Sequence, residues 1–399
     1  MKLKLLKFAF ENLKARKLRS WLTIIGVIIG IASVVTFMLI GSGLQSSIKE
    51  QFEKIGADII LIYPGKGMTG VMGAASADKF YQKDVDLIKK VRGVEKAGGM
   101  IYKIAKVEFR KETEYTFVIG MPDEIVISDF GVSIEHGREL QKNDKYSSVV
   151  GYEIYNANFF DKPVKVGNDI SIQGKSFNVV GSASKIGSRQ DDTQIYIPIK
   201  IAKEIFNEQG YSYIMAKSKE GLNPENVASE IKEELRKERN LKRGEEDFTV
   251  QTYRQLLETF SNILGIVQMV FIGIAAISLI VGGIGIMNTM YTSVVERTRQ
   301  IGTMKAIGAK NFDILAIFVF ESGIIGLVGG VIGAVLGVLA GKAVQFASAI
   351  GGYELLKISV DMNVIILGLV FAFVVGIISG LAPAIQASKL NPVQALRYE

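Results

Sequence analysis

Few residues in this chain of 399 residues have the side chains and spacing that catalysis needs. The chain contains no cysteine, which excludes disulfide bonds and thiolate chemistry, and its single histidine, His136, cannot form a metal site alone. The tripeptide GKS at 174–176 resembles the end of a phosphate-binding loop, but the first glycine of that motif would fall on Asp169, within a strand–turn–strand pattern. We therefore predict no catalytic residue, no metal site and no cofactor bound by this chain, which is not an enzyme on its own.

One acidic residue, Glu321, lies well inside a long apolar segment. Ionisable groups within membrane-spanning segments are functional candidates, because a charge in hydrocarbon is costly. A proton relay would require a series of acids, histidines and arginines, and the apolar segments contain no such series. A structural or coupling role for Glu321 is therefore favoured over a relay, and the energy that drives the protein is expected to come from outside the chain.

Four long apolar segments stand out along the sequence. Residues 20–48, 259–295 and 362–388 carry no charge, and 314–341 contains only Glu321. A helix of about 20 apolar residues crosses the core of a bilayer, so each segment is long enough to span it. The sequence therefore predicts an α-helical membrane protein with four transmembrane helices.

The region between the first two apolar segments mixes strand and helix signals. The stretch DIILIY at 58–63 has the composition of a strand, and DISIQGKSFNVVG at 169–181 is typical of a hairpin. Asn223 followed by Pro224 is a helix-starting pair, which indicates a helix over the next turns. Besides the four transmembrane helices, the predicted fold class therefore includes a large α+β extracytoplasmic domain on a helical stalk between spans 1 and 2.

Basic residues near the ends of the spans predict how the chain is oriented. Residues 2–19 contain seven Lys or Arg and one acid, and 296–313 contains four basic and two acidic residues. Such basic segments stay on the cytoplasmic side. We predict a multi-pass protein of the cell (cytoplasmic) membrane with both termini cytoplasmic. The net charge of +7 suits an anionic lipid bilayer, and no nucleic acid is expected as a partner.

The predicted segments follow one another without gaps. They are a cytoplasmic interfacial amphipathic helix at 1–19, span 1 at 20–44, the stalk and α+β domain at 45–258, span 2 at 259–293, a cytoplasmic helix at 294–312, span 3 at 313–341, a short external loop at 342–361, span 4 at 362–387 and a cytoplasmic tail at 388–399. In the first segment, apolar residues at helical spacing among lysines fit an interfacial helix and a plain basic flank equally well.

Apolar side chains continue at helical spacing beyond the outer ends of spans 1 and 2. They are Leu44, Ile48 and Phe52 after span 1, and Leu256, Phe260 and Ile263 at the start of span 2. A helix from 253 to 293 would be roughly 60 Å long, against a bilayer core of about 30 Å. We predict that the two overhanging helices pair into a stalk, and the alternative is two shorter helices that break at the membrane surface.

Glycines recur at every fourth position in the third apolar segment. They are Gly329, Gly333, Gly337 and Gly341. Residues at this spacing line one face of a helix, and small residues let transmembrane helices approach closely. The pattern predicts a helix-packing face on span 3.

The segment VVERTRQIGTMKAIGAK at 294–310 separates two membrane-length stretches. Its apolar residues fall on a semi-regular helical face between basic residues, and Gly308 stands where a helix would end. A short amphipathic helix is therefore predicted under the membrane. Its apolar face could lie on the bilayer or in a groove of a cytosolic partner, and the pattern alone leaves both open.

This segment resembles the signature V-x-E-R-x-x-E-I-G-x-x-K-A-I-G-A, which links spans 2 and 3 in the MacB/FtsX-type ABC transporter permease family; Gln300 stands where many relatives have glutamate. The tail APAIQASKLNPVQALRYE at 382–399 is similar to the family ending P-A-x-x-A-x-x-x-x-P-x-x-A-L-R-x-E. The stretches 56–66 and 166–181 resemble the family's core domain. The resemblance covers essentially the whole chain in order.

The resemblance implies a homodimer in which each subunit binds a separate ABC ATP-binding subunit, with room for an extracytoplasmic accessory protein as a further partner. The two ATPase copies would hold ATP and Mg, and their closure would be transmitted along the stalk to the outer domain, a process called mechanotransmission. An inserted lobe of that domain is expected near 125–200. The implied ATPase contacts are Glu296, Arg297, Arg299, Ile301, Gly302, Lys305, Ala306, Ile307 and Gly308, with support from the tail residues Pro392, Leu396, Arg397 and Glu399.

The function implied by the resemblance is ATP-driven export or extraction, such as efflux, by a permease subunit without its own ATPase. An FtsX-like regulatory protein that controls an extracytoplasmic enzyme without transport is the alternative, and the large outer domain favours export. A self-contained channel would need polar pore-lining residues, which the four spans mostly lack.

Overall fold

The computed structural model describes residues 17–56, 58–65, 79–156, 158–351 and 357–396. The chain divides into two compact units: one is built mainly from the long apolar helices, and the other consists chiefly of the residues between Ser46 and Asn262. Most of the interfacial helix expected at 1–19 lies outside the described residues, and so do Arg397 and Glu399.

Four helices in the described ranges are long and apolar enough to cross a membrane. They are α1 (Lys17–Ile55), α7 (Tyr253–Glu296), α9 (Asn311–Ile350) and α10 (Met362–Ser388). The shorter helices are α2 (Gln82–Lys90), α3 (Tyr152–Tyr155), α4 (Arg189–Asp192), α5 (Ile199–Phe206), α6 (Pro224–Glu238), α8 (Thr298–Ala306) and α11 (Pro392–Leu396). Four apolar helices with an α+β domain between the first and the second confirm the predicted fold class.

Helices α1 and α7 are much longer than a membrane core is thick. They contain 39 and 44 residues without an interruption. At the rise of an α-helix these lengths correspond to about 58 Å and 66 Å. Both helices are therefore continuous, as the stalk prediction requires. The alternative prediction was two shorter helices that break at the membrane surface.

Helix α9 is longer than the sequence predicted. The prediction ended span 3 at 341 and assigned 342–361 to a loop, whereas α9 continues to Ile350. The stretch 342–350 contains no glycine or proline, so nothing stops the helix before Gly351. Lys342 at the start of this extension donates a hydrogen bond of 2.6 Å to the carbonyl of Ile358 in the following segment.

Small residues allow the long helices to pack closely. On α1, a β-carbon added to Gly26 would lie 2.8 Å from the Cα of Gly282 on α7, and the rings of Phe37 and Phe271 stack with centroids 3.6 Å apart. Residue numbers rise along α1 from Gly26 to Phe37 while those of their partners on α7 fall from Gly282 to Phe271, so α1 and α7 run antiparallel. Close backbone contact replaces the hydrophobic driving force that lipid does not supply.

In its described residues, the α+β domain is organised around one sheet of ten strands. They are β1 (Ile59–Pro64), β2 (Val94–Phe109), β3 (Glu112–Met121), β4 (Ile134–Gly137), β5 (Ser147–Val150), β6 (Asp169–Ile172), β7 (Lys175–Ala183), β8 (Ile195–Pro198), β9 (Tyr213–Ser218) and β10 (Phe248–Thr252). The strand order is β10-β1-β9-β2-β3-β8-β5-β7-β4, and β6 pairs with both β2 and β7.

The pairing of β6 closes part of the sheet into a ring. Successive hydrogen-bonded pairs run from β2 through β3, β8, β5, β7 and β6 back to β2. Val107 on β2, Ile170 on β6 and Phe177 on β7 are buried in one apolar cluster. The ring includes β2 and β3, which precede residue 125, so it is not confined to the range 125–200 in which an inserted lobe is expected.

Helices cover the rest of the domain's sheet. Val85 and Ile88 of α2 and Ile231 of α6 are buried in the same cluster as the strand residue Ile60. A second apolar cluster contains Leu256 at the start of α7 together with strand residues of β1, β2, β3 and β9. The alternation of side chains along a strand explains why the two clusters use successive residues of β1.

Candidate functional site

The polar segment between α7 and α9 forms the nine-residue helix α8. Its N-cap residue is Arg297, whose φ of −103° and ψ of 12° separate α8 from the end of α7. The Arg297 amide still donates to the Ser293 carbonyl at 3.1 Å, so the chain turns with little loss of hydrogen bonding. The segment ends at Gly308, whose φ of +106° is a conformation that residues other than glycine rarely adopt.

One face of α8 is buried inside this chain. Ile301 has no exposed surface and belongs to the apolar cluster that also contains Val294 and Phe318. Gly302 packs against α11, where a β-carbon at residue 302 would lie 2.8 Å from the Cβ of Ala395. Ile301 and Gly302, two of the predicted ATPase contacts, therefore face the interior of their own chain, and their contact with an ATPase stays a prediction.

Arg297 also points into the chain. Its guanidinium Nη1 lies 3.2 Å from Oε2 of Glu321 on α9, and the two side chains are 22% and 19% exposed. This ion pair joins the start of α8 to the acid that the sequence placed within span 3. A partner for Glu321 fits the structural or coupling role that the sequence analysis favoured over a proton relay.

Lys305 is held at the end of α10. Its ammonium Nζ donates hydrogen bonds to the carbonyls of Ser388 at 2.6 Å and Leu390 at 2.7 Å. The last carbonyls of a helix lack partners within it, and a positive charge there is favourable for the helix dipole. The Lys305 side chain therefore caps the C-terminus of α10.

Several large apolar side chains in this region are exposed. Ile307 is 81% exposed, and Phe312 at the start of α9 is 73% exposed. On α11, Val393 is 66% exposed and Leu396 is 46% exposed. We call Ile307, Phe312, Val393 and Leu396 the apolar end surface. Arg299, Ala306, Gly308 and Glu296 are also exposed.

Sequence reasoning missed Phe312 and Val393 as members of this surface. Phe312 was assigned to the end of the segment before span 3, and Val393 to the tail. Phe312 is a large apolar residue between the polar residues Asn311 and Asp313, and Val393 is followed by the polar Gln394 in a mostly polar tail. That local contrast is the signal that could have identified them.

The glycines predicted to form a packing face on span 3 are all buried: Gly329, Gly333, Gly337 and Gly341. A β-carbon at Gly333 would lie 2.8 Å from the carbonyl oxygen of Ile28 on α1, and one at Gly337 would lie 2.8 Å from that of Ala32. Thr36 Oγ1 also donates to the Gly337 carbonyl at 3.1 Å. Gly333 and Gly337 thus lie against α1, whereas a β-carbon at Gly341 would lie 3.7 Å from the side chain of Ile358, in the segment before α10.

A second set of small residues on α9 was not singled out in the sequence. A β-carbon at Gly326 would lie 2.4 Å from the Ala372 carbonyl oxygen of α10, and one at Gly376 would lie 2.5 Å from the Ser322 carbonyl oxygen. The helix therefore carries two glycine faces, toward α1 and toward α10.

The predicted stalk residues have different environments. Leu256 and Phe260 pack in the apolar cluster of the α+β domain together with strand residues, so this part of α7 is integrated into that domain. Leu44, Ile48 and Ile263 are half-buried, and the side chain of Phe52 lies outside the described residues. Pairing of the two helices along the stalk stays a prediction.

Within the described ranges, no group of three or more His, Asp or Glu side chains is arranged as metal ligands would be. The GKS residues at 174–176 lie at the turn between β6 and β7, with Gly174 at a φ of +78°. A tight hairpin turn explains this glycine.

Comparison with known proteins agrees with this architecture. Residues 20–234 match the family profile of the MacB-like periplasmic core domain, and residues 272–392 match that of the FtsX-like permease C-terminal region. An uncharacterized ABC transporter permease of Methanocaldococcus jannaschii is 40% identical over 399 residues, which cover 99% of this chain and 98% of the relative.

Two further relatives are more distant. The uncharacterized ABC transporter permease YknZ of Bacillus subtilis is 28% identical over 402 residues, covering 99% of this chain and 98% of its own. The macrolide export ATP-binding/permease protein MacB of Brucella melitensis is 31% identical over 98% of this chain. That alignment covers 60% of the MacB protein.

Four apolar helices, a large α+β domain after the first and a short polar helix after the second define a multi-pass membrane permease. The first family profile covers more than half of the chain, and the archaeal relative aligns with nearly all of it. This chain belongs to the MacB/FtsX-type ABC transporter permease family.

Proposed function

We propose that this chain is the permease subunit of an ATP-driven ABC transporter that exports or extracts its cargo. The observation that carries the proposal is the apolar end surface, in which Ile307 is 81% exposed and Phe312 is 73% exposed beside a helix fixed by several internal contacts. Large apolar residues on a rigid support are typical anchors of protein interfaces. A separate ABC ATP-binding subunit is the partner that family membership suggests.

In this proposal two copies of the permease form a homodimer in the cytoplasmic membrane, and each copy binds one ATPase subunit. The basic residues near Arg299 and in the first nineteen positions support a cytoplasmic location for α8 and both termini. ATP and Mg belong to the ATPase, because this chain offers no nucleotide motif of its own.

The long helices provide the route from the ATPase to the α+β domain. Helix α7 is continuous from Tyr253, which is buried in the domain, to Glu296, which precedes α8. A straight α-helix transmits axial displacement because every backbone group along it is hydrogen-bonded. We infer that closure of the ATPase moves α8 and that α7 transmits the movement, which is mechanotransmission.

The same stroke could instead regulate an extracytoplasmic enzyme, as in an FtsX-like protein. The α+β domain contains ten strands and its own apolar clusters, which supports direct handling of cargo by that domain. Export or extraction is therefore preferred, and regulation is the alternative outcome of the transport assay below.

The first experiment is gentle purification of the tagged chain from its own host membranes, with and without crosslinking. We expect an ABC ATPase in a one-to-one ratio with the permease. The variant Ile307→Glu should lose the ATPase, and the control Ile104→Glu, which changes an exposed residue of β2, should keep it. Absence of any ATPase in both preparations would contradict the proposal.

Reconstitution of the purified complex in vesicles then separates the two functions. ATP-dependent release or movement of candidate hydrophobic cargo supports export or extraction. ATP hydrolysis without any cargo movement, combined with activation of an added cell-wall hydrolase, would support the regulatory alternative.

A further inference from the structure

Two polar contacts and one packing contact join α8 to three other helices of the membrane unit. Arg297 reaches Glu321 on α9, Lys305 reaches the end of α10, and Gly302 lies against Ala395 on α11. These positions are at the start, the middle and the end of a nine-residue helix. The contacts therefore restrain the whole length of α8.

The first contact satisfies a charge that would otherwise be costly. Glu321 lies ten positions after Asn311, or about 15 Å along the axis of α9. It is the single charged residue between 314 and 341. A carboxylate at such a depth is stabilised by a nearby positive charge, and removing Arg297 would take that stabilisation away. The acid therefore selects a position of α8 in which Arg297 is close to α9.

The second contact works through carbonyl groups that α10 cannot satisfy internally. Lys305 binds the carbonyls of Ser388 and Leu390, which stand at the C-terminus of α10 and just beyond it. If α8 moved away, these carbonyls would lose a charged donor and the helix would lose its cap. The end of span 4 is thereby tied to the end of α8.

The third contact depends on the absence of a side chain. A β-carbon at residue 302 would also lie 3.4 Å from the Leu396 amide nitrogen, so α11 rests on the backbone of α8. This contact keeps α11, which contributes Val393 and Leu396 to the apolar end surface, at a defined distance from α8.

We propose that Arg297, Lys305 and Glu321 are positioning residues that lock α8 to spans 3 and 4, so that a push on α8 moves the cytoplasmic ends of both spans together with α7. Their task is to transmit force rather than to bind the ATPase. The force-transmitting role rests on the proposed function, whereas the lock itself is a property of this chain alone.

The lock can be tested without any ATPase, because the chain has no cysteine and two can be introduced freely. We would attach spin labels at Arg299→Cys on α8 and Val331→Cys on α9, both of which are exposed. Pulsed electron resonance of the full-length chain in lipid nanodiscs then measures the distribution of label distances. We expect one narrow distribution.

Neutralising either charge should release α8. Glu321→Gln or Arg297→Met should add a second, broader population and shift the equilibrium by about tenfold or more toward it, as expected for loss of a largely desolvated ion pair. Arg297→Lys should stay narrow because it keeps the charge. The matched control is Glu258→Gln, which removes an exposed ion pair with Arg254 on α7 and should change nothing.

The exchange of both charges, Arg297→Glu with Glu321→Arg, should restore the narrow distribution. A single narrow distribution in both Glu321→Gln and Arg297→Met would overturn the lock. If the exchanged protein does not fold, Lys305→Met gives an independent test, since loss of the α10 cap should broaden the same distance.

A second measurement tests transmission in the complex. Glu321→Gln should still bind the ATPase and leave the KM for ATP unchanged, but the stimulation of kcat by the permease should fall by about tenfold. Normal stimulation in Glu321→Gln would overturn the transmission role. If wild type binds no ATPase, the proposed function fails, and the distance measurement still decides whether the lock exists.

Discussion

Gly302 packs so closely against Ala395 that the Cβ of a side chain at residue 302 would lie 2.8 Å from the Ala395 Cβ. Real Cβ contacts are almost never so short, so a larger residue must displace α11 from α8. The short tail helix and the helix between spans 2 and 3 therefore form one structural element. Together with Phe312 at the start of α9, they present the apolar end surface.

We expect Gly302→Val to detach α11. An Ala395→Cys reporter, which is unique in this cysteine-free chain, should react slowly with a maleimide in the parent protein because Ala395 is 2% exposed. Labelling should be at least about tenfold faster in Gly302→Val if the contact is lost. The control is Gly273→Val, since a β-carbon at Gly273 meets no other atom within 4 Å.

We expect Phe312→Ser to weaken ATPase binding by about tenfold or more, as removal of a large apolar anchor from an interface does. Arg299→Glu should mainly slow association and make it less sensitive to salt, because exposed charges act on encounter more than on the final contact. Binding kinetics of the purified ATPase with immobilised permease would measure both effects. Equal affinities of Phe312→Ser and wild type would exclude Phe312 from the interface.

We expect Gly337→Leu to separate α9 from α1. The Gly337 carbonyl accepts a hydrogen bond from Thr36, and its Cα faces the backbone of Ala32, so a leucine side chain has no space. Overpacking of this kind costs about 1–3 kcal/mol. Thermal unfolding in detergent should show a lower Tm than wild type, while Gly265→Leu, at a glycine with open space, should unfold like wild type.

The α+β domain should respond to pH through Asp191. Burial raises the pKa of this carboxyl above its ordinary value, although Ser188 and Gln194 partly oppose the shift. The folded state therefore holds the proton more tightly than the unfolded chain does, and stability falls as pH rises from the unfolded pKa through the folded one. Asp191→Asn removes this titration. The free energy of unfolding of Asp191→Asn, measured relative to that of wild type, should therefore increase as pH rises from acidic to neutral.

Asp144 provides a comparison of opposite sign in the same domain. Its hydrogen bonds with Arg138 hold the pKa of the Asp144 carboxyl below its ordinary value. The stabilisation is present above the unfolded pKa and is lost as pH falls through the folded one. Arg138→Met should therefore be less stable than wild type at neutral pH and equal to it in acid. If the stabilities of Asp191→Asn and Arg138→Met relative to wild type changed with pH in the same direction, one of the two assignments would be contradicted.

The sequence by itself determined the features that depend on local composition. Uninterrupted apolar runs are sufficient to predict the membrane helices, because crossing a bilayer requires length and apolarity within one segment. Likewise, Gly308 and the basic residues around it predict a short polar helix between two spans. The family signature in the same segment relies on residues close together in the chain, so it too can be read without a structure.

The tertiary structure decided which side chains of that short helix face inward. Ile301 and Ile307 are equivalent in a hydropathy pattern, yet the first is fully buried and the second is 81% exposed. Arg297 and Glu321 are separated by 24 positions, and their ion pair exists because the turn after α8 returns the chain beside its own start. Helical periodicity predicts that a face exists but not which surface covers it.

The same limit applies to the α+β domain and to the glycine faces of α9. Ring closure depends on the pairing of β6 with β2, two strands that are far apart in the sequence, and no local signal encodes that register. Span 3 carries small residues toward both α1 and α10, whereas its strict four-residue repeat indicated only one of these contacts. Strand pairing and burial depend on residues that are far apart in the sequence, so only the tertiary structure shows them.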